Sequence, residues 1–230
     1  MNLDGLRIAI TGAFGGLGSQ VVESVLSSGA RVIAIDYAPA DPARDRDNLL
    51  QLGGVDLTSE DSARQAFQTA GTHFGGLDAL VNIAGGFVWE TFADGSLASW
   101  DKMYNINVKT AVISCSAALP FLSKEKSSSI VNISALGSVQ AGLGMAPYAA
   151  SKAGVSKLTE SLAEEFKGKG LRVNAVMPSI IDTAINRKDM PDADFSTWVS
   201  PAELANVISF LVSPQASAIT GAVIPVVGRV

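Results

Sequence analysis

Two side chains suited to proton transfer, Tyr148 and Lys152, stand four residues apart at the start of an amphipathic segment. On a helix this i, i+4 spacing places both side chains on one face. An ammonium close to a phenol favours the phenolate, so the pair predicts a tyrosine of lowered pKa that exchanges a proton near neutral pH. Such pairs also occur by chance in ordinary helices, so the interpretation depends on the rest of the chain.

A glycine-rich turn, Thr11–Gly18, follows the apolar run Leu6–Thr11 and overlaps the start of a predicted helix over Gly15–Ser28. Glycines allow backbone N–H groups to approach a pyrophosphate closely, and the helix N-terminus favours its negative charge. The alternative is a turn that only packs tightly against the sheet. In this strand–turn–helix context we predict a dinucleotide site. Its predicted contacts are Gly12, Phe14, Gly16, Leu17 and Gly18.

The next apolar strand, Arg31–Asp36, ends in a carboxylate 18 residues after Gly18. A carboxylate there accepts hydrogen bonds from the adenosine ribose hydroxyls and repels a 2′-phosphate. The nearest basic residues, Arg44 and Arg46, lie further along a polar loop. The pattern predicts NAD(H) in preference to NADP(H), although a solvated strand end would also explain Asp36.

Apolar runs alternate with longer amphipathic segments along the whole chain. Further strands are predicted at Leu77–Asn82, Ser129–Ser134, Leu171–Met177 and Ala222–Val227, and further helices at Ser59–Thr72, Ser96–Leu122, Tyr148–Lys167 and Pro201–Leu211. The strands are continuously apolar, which indicates burial on both faces in a parallel sheet covered by helices. We therefore predict an α/β fold with one doubly wound sheet, a single domain over residues 1–230. The long stretch Ser179–Ser200 lacks a regular pattern and predicts a substrate lid.

Composition excludes several classes of partner. The net charge is −5 and there is no Lys/Arg run, which argues against nucleic acid and membrane surfaces as partners. One cysteine, Cys115, and one histidine, His73, build neither an intramolecular disulfide nor a metal site. No secretory signal and no run of about 18 apolar residues is visible, so a cytoplasmic location is predicted.

Several motifs occur together in a specific order: Thr11–Gly18, Asn82–Gly85, Asn107, the Tyr148/Lys152 pair and Pro178–Thr183. In order and spacing the chain resembles the short-chain dehydrogenase/reductase family over nearly its whole length. The resemblance implies a Rossmann-like fold and an oxidoreductase that acts on CH–OH donors with a nicotinamide cofactor. It also implies a homotetramer or homodimer.

The resemblance assigns cofactor contacts beyond the glycine turn. Asn82, Ala84 and Gly85 would close the sheet edge against the cofactor ribose. Asp56, followed by Leu57, would contact the adenine. Each position has an ordinary alternative as a turn, cap or helix-leading residue.

The resemblance also assigns roles around the nicotinamide. Lys152 would hydrogen-bond its ribose, and Asn107 would bend its helix and hold a water that links Lys152 to solvent. After Pro178, the Ile181 backbone and Thr183 would fix the carboxamide.

One family position is missing. The family places a catalytic serine 13 residues before the tyrosine, where this chain has Ala135. Ser134 is the candidate substitute, but neighbouring strand residues point to opposite faces unless the strand end twists; Ser138 is a weaker candidate. The loss of one such donor costs roughly 3 kcal/mol, or about 100-fold.

Apolar and aromatic residues dominate the predicted substrate loops, Phe87–Trp89, Val139–Pro147 and Ser179–Ser200. Several of them would equally serve to pack the lid or a subunit contact. The predicted function is NAD(H)-dependent interconversion of a carbonyl and an alcohol on a largely apolar small molecule. Because dihydropteridine reductases of the same family also lack the serine, a quinonoid or pterin-like ring is an alternative substrate. A non-catalytic cofactor-binding subunit is the third possibility.

Overall fold

A seven-stranded parallel sheet, with strand order β3-β2-β1-β4-β5-β6-β7, forms the centre of the molecule. The computed structural model describes residues 2–122 and 128–230. The strands are β1 (Arg7–Thr11), β2 (Arg31–Ile35), β3 (Leu49–Leu52), β4 (Ala79–Asn82), β5 (Ser128–Ile133), β6 (Leu171–Pro178) and β7 (Val223–Val226). The predicted doubly wound parallel sheet is confirmed.

Helices cover both faces of this sheet. They are α1 (Gly16–Ser27), α2 (Glu60–His73), α3 (Leu97–Met103), α4 (Thr110–Ala118), α5 (Ala146–Phe166), α6 (Ala184–Asp189) and α7 (Pro201–Val212). One apolar core lies under α1 and α7, and the other lies under α2, α4 and α5. In β1, Ile8 and Ile10 enter the first core and Ala9 the second. Burial on both faces is the physical reason why the strands are continuously apolar.

Two segments differ from the prediction. Strand β3 was not predicted, because its four residues show no period of their own; pairing with the neighbouring β2 makes them a strand. The segment 179–200 is not irregular throughout, since it contains α6, which Thr183 caps by accepting a hydrogen bond from the Asn186 N–H. Within the described ranges, no helix combines the length and apolar character needed to cross a bilayer.

Candidate active site

A cleft of about 630 Å³ opens at the carboxyl ends of the central strands. It lies where the chain order changes between β1 and β4, the usual position of ligands in open parallel sheets. Ten predicted cofactor contacts line it: Gly12, Phe14, Gly16, Leu17, Gly18, Asp36, Asp56, Leu57, Ala84 and Gly85. The sequence analysis missed Tyr37, Val55, Thr58, Ile83, Ile106 and Thr110, which also line it. Most of these six residues are sequence neighbours of a predicted contact or of Asn107. That adjacency is the signal by which the sequence could have identified them.

The glycine turn brings bare backbone to the floor of this cleft. Gly12 has a φ of +64°, and a Cβ at this position would lie 2.7 Å from the backbone nitrogen of Ala84. A side chain is therefore excluded both by conformation and by space. The N-cap residue of α1 is Gly15, which has no side chain that could accept a hydrogen bond. The first N–H groups of the helix therefore face the cleft with no capping side chain bound to them. This arrangement fits a pyrophosphate.

Two carboxylates stand at the adenosine end of the cleft. Asp36 accepts hydrogen bonds from the N–H groups of Phe14, at 2.8 Å, and Ala38, at 3.0 Å. These bonds hold its half-buried carboxylate in place. Asp56 accepts from both the N–H and the hydroxyl of Thr58, at 2.8 and 2.7 Å, and these bonds lower the pKa of Asp56. Both side chains offer carboxylate oxygens as acceptors, which ribose or adenine donors require.

The side chain of Asn82 does not line the cleft, so its predicted role as a cofactor contact is corrected. Its amide donates to Asn132 Oδ1 at 2.9 Å and to Cys115 Sγ at 3.3 Å. The Asn132 amide in turn donates to Thr159 Oγ1 at 2.9 Å. The Asn82 amide nitrogen therefore joins β4 to β5 and α4 inside the core, while its buried Oδ1 makes no hydrogen bond there.

Tyr148 and Lys152 lie in the first two turns of α5 at the end of β5, where Lys152 is buried and Tyr148 is half-buried. The ammonium of Lys152 donates to the Ile133 carbonyl at 2.9 Å and lies 5.9 Å from the centroid of the phenol ring. Burial raises the pKa of Tyr148 to about 12 and lowers that of Lys152 to about 8. The predicted lowering of the tyrosine pKa is wrong for the protein alone, because desolvation outweighs a cation that makes no hydrogen bond to the phenol. Tyr148 therefore holds a proton that it can donate.

Asn107 lies in a π-helical segment between α3 and α4, which confirms the predicted irregularity of its helix. Its side-chain amide makes reciprocal hydrogen bonds with the N–H and the carbonyl of Gly86, both at 3.0 Å. A Cβ at Gly85 would lie 3.5 Å from Lys152 Nζ and closer still to Asn107 Oδ1. The loop after β4, Asn107 and Lys152 thus converge. The water that Asn107 was predicted to hold stays a prediction.

Ser134 does not replace the missing family serine, and its assignment as a catalytic residue is corrected. Its hydroxyl lies 2.7 Å from Ser156 Oγ and donates to the Lys152 carbonyl at 3.2 Å. The residue is 1% exposed. Ser138 contacts Ser156 and Met177, each at 3.5 Å. The Ser134 hydroxyl is held between β5 and the body of α5, while Ala135 continues the chain in an extended conformation.

The start of the predicted lid meets the glycine turn. Strand β6 ends at Pro178. Shortly after it, Ile181 forms an isolated β-bridge with Val199, which closes the segment 179–200 at its base. A Cβ at Gly16 would lie 3.4 Å from Thr183 Cγ2. The structure therefore brings Thr183, a predicted carboxamide contact, to the glycine turn that lines the cleft.

The aromatic residues predicted for the substrate pocket divide into two groups. Phe195 and Trp198 pack together with centroids 4.8 Å apart, and the Arg187 guanidinium lies 4.7 Å from the Phe195 ring. These residues pack the lid itself, as the alternative interpretation held. Phe87 and Trp89, by contrast, are about half exposed, and Phe87 lies beside Tyr148.

Lys152→Met is expected to stabilise the fold while removing catalysis. The folded-state pKa of about 8, below the ordinary 10.5, means that the protein keeps a buried ammonium at neutral pH at a cost. Loss of the hydrogen bond to the Ile133 carbonyl offsets part of the gain, leaving roughly 1–2 kcal/mol at pH 7. The gain should disappear as pH rises from about 8 towards 10.5, because wild-type Lys152 then loses its proton.

Urea unfolding at pH 7 and pH 10 measures this difference. Lys157→Met, in an exposed lysine of the same helix that pairs with Glu160, is the matched control and should bring no pH-dependent gain. If the Lys152→Met protein were less stable than wild type at pH 7, this would contradict the inference that Lys152 is a destabilising buried ammonium at that pH.

Comparison with known proteins gives concordant matches. The family described as short chain dehydrogenase matches residues 7–194. The 3-oxoacyl-(acyl-carrier-protein) reductase of Thermotoga maritima is 32% identical over 99% of this chain and 98% of its own. The 3beta-hydroxysteroid dehydrogenase 1 of Eggerthella lenta is 29% identical, over 96% and 91%. The crystal structure of a Brucella melitensis 3-ketoacyl-(acyl-carrier-protein) reductase complexed with NADH superimposes with a TM-score of 0.87, at 27% identity over 99% and 98%.

Proposed function

Because the chain belongs to the short-chain dehydrogenase/reductase family, we propose that this oxidoreductase interconverts a carbonyl and an alcohol on a largely apolar small molecule, with Tyr148 as its acid/base group. The observation that carries the proposal is the placement of a half-buried Tyr148 and a buried Lys152 beside a cleft suited to a dinucleotide. Lys152 is a buried ammonium that donates to a backbone carbonyl and makes no ion pair within the described residues, a costly arrangement that is typical of functional sites.

The residues divide the chemistry between them. A bound nicotinamide supplies the hydride in reduction and accepts it in oxidation. Lys152 would hydrogen-bond the ribose of the nicotinamide, with Asn107 linking Lys152 to solvent through a water, while the Ile181 backbone and Thr183 would hold the carboxamide. Tyr148 donates its proton to the carbonyl oxygen as negative charge develops there. A pKa of about 12 keeps the phenol protonated at neutral pH, as the proton donor in reduction must be.

Turnover of NADH with a panel of apolar ketones tests this function. Consumption of NADH that depends on the ketone, with formation of the alcohol, is the expected result. Binding of the nucleotide without turnover of any substrate class would instead support a non-catalytic, cofactor-binding subunit.

A quinonoid or pterin-like ring is the second candidate substrate. It is favoured by one observation: Ala135 has no hydroxyl, and the neighbouring Ser134 hydroxyl is engaged with α5. A ring that carries its own polar groups has less need of a hydrogen bond to a developing oxyanion. Including a quinonoid dihydropterin in the same panel separates the two candidates.

NADH is expected to bind at least about tenfold more tightly than NADPH, because Asp36 faces the ribose and repels a 2′-phosphate. The nearest guanidinium groups, of Arg44 and Arg46, both hydrogen-bond Glu23 at 3.0 Å instead. Fluorescence titration with each nucleotide measures the ratio. Glu23→Gln should raise NADPH affinity by loosening both arginines, whereas Glu160→Gln, at an exposed ion pair on α5, is the control and should not. Equal affinities in the wild type would mean that the arginines turn to the phosphate.

The assembly and location are also proposals. The family resemblance implies a homotetramer or homodimer in which the helices predicted at Ser96–Leu122 and Tyr148–Lys167 pair across one axis. Exposed apolar side chains on α3 and the adjoining π-helical segment support it: Leu97, Trp100 and Tyr104. Light scattering of the purified protein measures the assembly. The cytoplasmic location stays a prediction.

A further inference from the structure

An aromatic ring that the family resemblance does not assign lies directly against the phenol of Tyr148. The ring centroids of Phe87 and Tyr148 are 4.8 Å apart and their planes stand at 85°, an edge-to-face pair. Such pairs are favourable beyond the area that they bury. Phe87 nevertheless remains 51% exposed. One part of its surface therefore contacts the proton donor while the rest is available to a ligand.

The backbone on both sides of Phe87 is anchored. Gly86 makes the two reciprocal hydrogen bonds with the Asn107 amide, each 3.0 Å long. Two residues after Phe87, the indole of Trp89 donates to the Leu143 carbonyl at 3.0 Å and ties this loop to the one that precedes α5. The ring of Phe87 is thus held by its neighbours at a fixed place beside the phenol.

We propose that Phe87 determines substrate specificity, by packing its exposed ring surface against an aromatic or alicyclic group next to the reacting carbonyl. The inference rests on the proposed function, because it takes Tyr148 as the group that reaches the carbonyl oxygen. A substituent on the carbonyl carbon extends a few ångströms from that oxygen. The ring centroids of Phe87 and Tyr148 are separated by a similar distance, 4.8 Å. The substrate class is a ketone that carries a ring, in preference to a short acyclic ketone.

The same contact shields the phenol from water. Burial raises the pKa of Tyr148 to about 12, and the Phe87 ring supplies part of the apolar surroundings. The charged group that faces the phenol is Lys152, 5.9 Å from the ring centroid. Removal of the Phe87 ring should admit water and bring the pKa of Tyr148 down towards its ordinary value.

Specificity is tested with an aryl methyl ketone and a short acyclic ketone. In Phe87→Ala the ratio of kcat/KM for the aryl ketone to that for the acyclic ketone should fall about tenfold. Phe92→Ala is the matched control, since Phe92 follows in the same loop and is 83% exposed; its ratio should equal that of wild type. An equal loss on both ketones in Phe87→Ala would overturn the assignment of specificity.

Titration of Tyr148 gives a readout that needs no turnover. The chain has three tyrosines, so subtracting the absorbance titration of Tyr148→Phe isolates the signal of Tyr148. Its pKa should fall in Phe87→Ala and stay unchanged in Phe92→Ala; an unchanged value in Phe87→Ala would overturn the inferred shielding contact. A wild-type protein that reduces neither ketone contradicts the substrate part of this inference and the carbonyl function together. If the wild type is active and Phe87→Ala loses kcat/KM equally on both ketones, only the inferred role of Phe87 in specificity is contradicted.

Discussion

Tyr148→Phe is expected to lower kcat for carbonyl reduction by about 10²–10⁴-fold, the range that a positioned proton donor contributes. The substitution deletes the hydroxyl and its proton while it keeps the ring that packs against Phe87. The fold and the affinity for NADH should stay unchanged, because only one hydroxyl is lost and the proposed nucleotide cleft is lined by other residues.

Steady-state kinetics and NADH titration on the same preparation measure this effect. Tyr104→Phe is the matched control, since Tyr104 is 56% exposed on the π-helical segment, and it should retain wild-type kcat. Wild-type turnover in Tyr148→Phe would mean that the substrate takes its proton from water and not from the enzyme.

Ala135→Ser is expected to raise kcat for a simple ketone by up to about 100-fold, because a hydroxyl there adds a hydrogen bond to the developing oxyanion. The neighbouring Ser134 cannot supply that bond, since its hydroxyl contacts Ser156 and the Lys152 carbonyl. On a quinonoid ring the same substitution should have no effect or should slow turnover by crowding. Comparing both substrates therefore distinguishes the two candidate functions.

Ser134→Ala completes this experiment. It removes buried hydrogen bonds and should destabilise the protein by about 1–3 kcal/mol, with less than about tenfold loss of kcat, because the hydroxyl acts on the backbone beside Lys152 and not on the substrate. Unfolding curves and kcat on one ketone measure both quantities. Severe loss of kcat in Ser134→Ala, with unchanged NADH affinity, would contradict the interpretation that Ala135 occupies the position of the family serine and that Ser134 does not replace it.

The sequence alone was sufficient for the parts of this protein that depend on local pattern. Continuous apolar runs indicated a sheet buried on both faces. In β1 alternate residues enter the two different apolar cores, which is why the whole strand is apolar. The glycine turn of residues 11–18 was predicted because Gly12 requires a positive φ and bare backbone, a constraint that acts within a few residues. Tyr148 and Lys152 were expected on one face of a helix, where they lie, because the helix period relates them directly.

Only the tertiary structure decided what depends on distant segments. Strand β3 exists because β2 lies beside it, and the amide of Asn82 points into the core because Asn132 and Cys115 offer partners there. The pKa of Tyr148 rises, although the sequence predicted a fall, because burial is a sum over all the elements that pack around the phenol. Helix spacing places a cation near the phenol, but it does not show how much water the fold has removed from both groups.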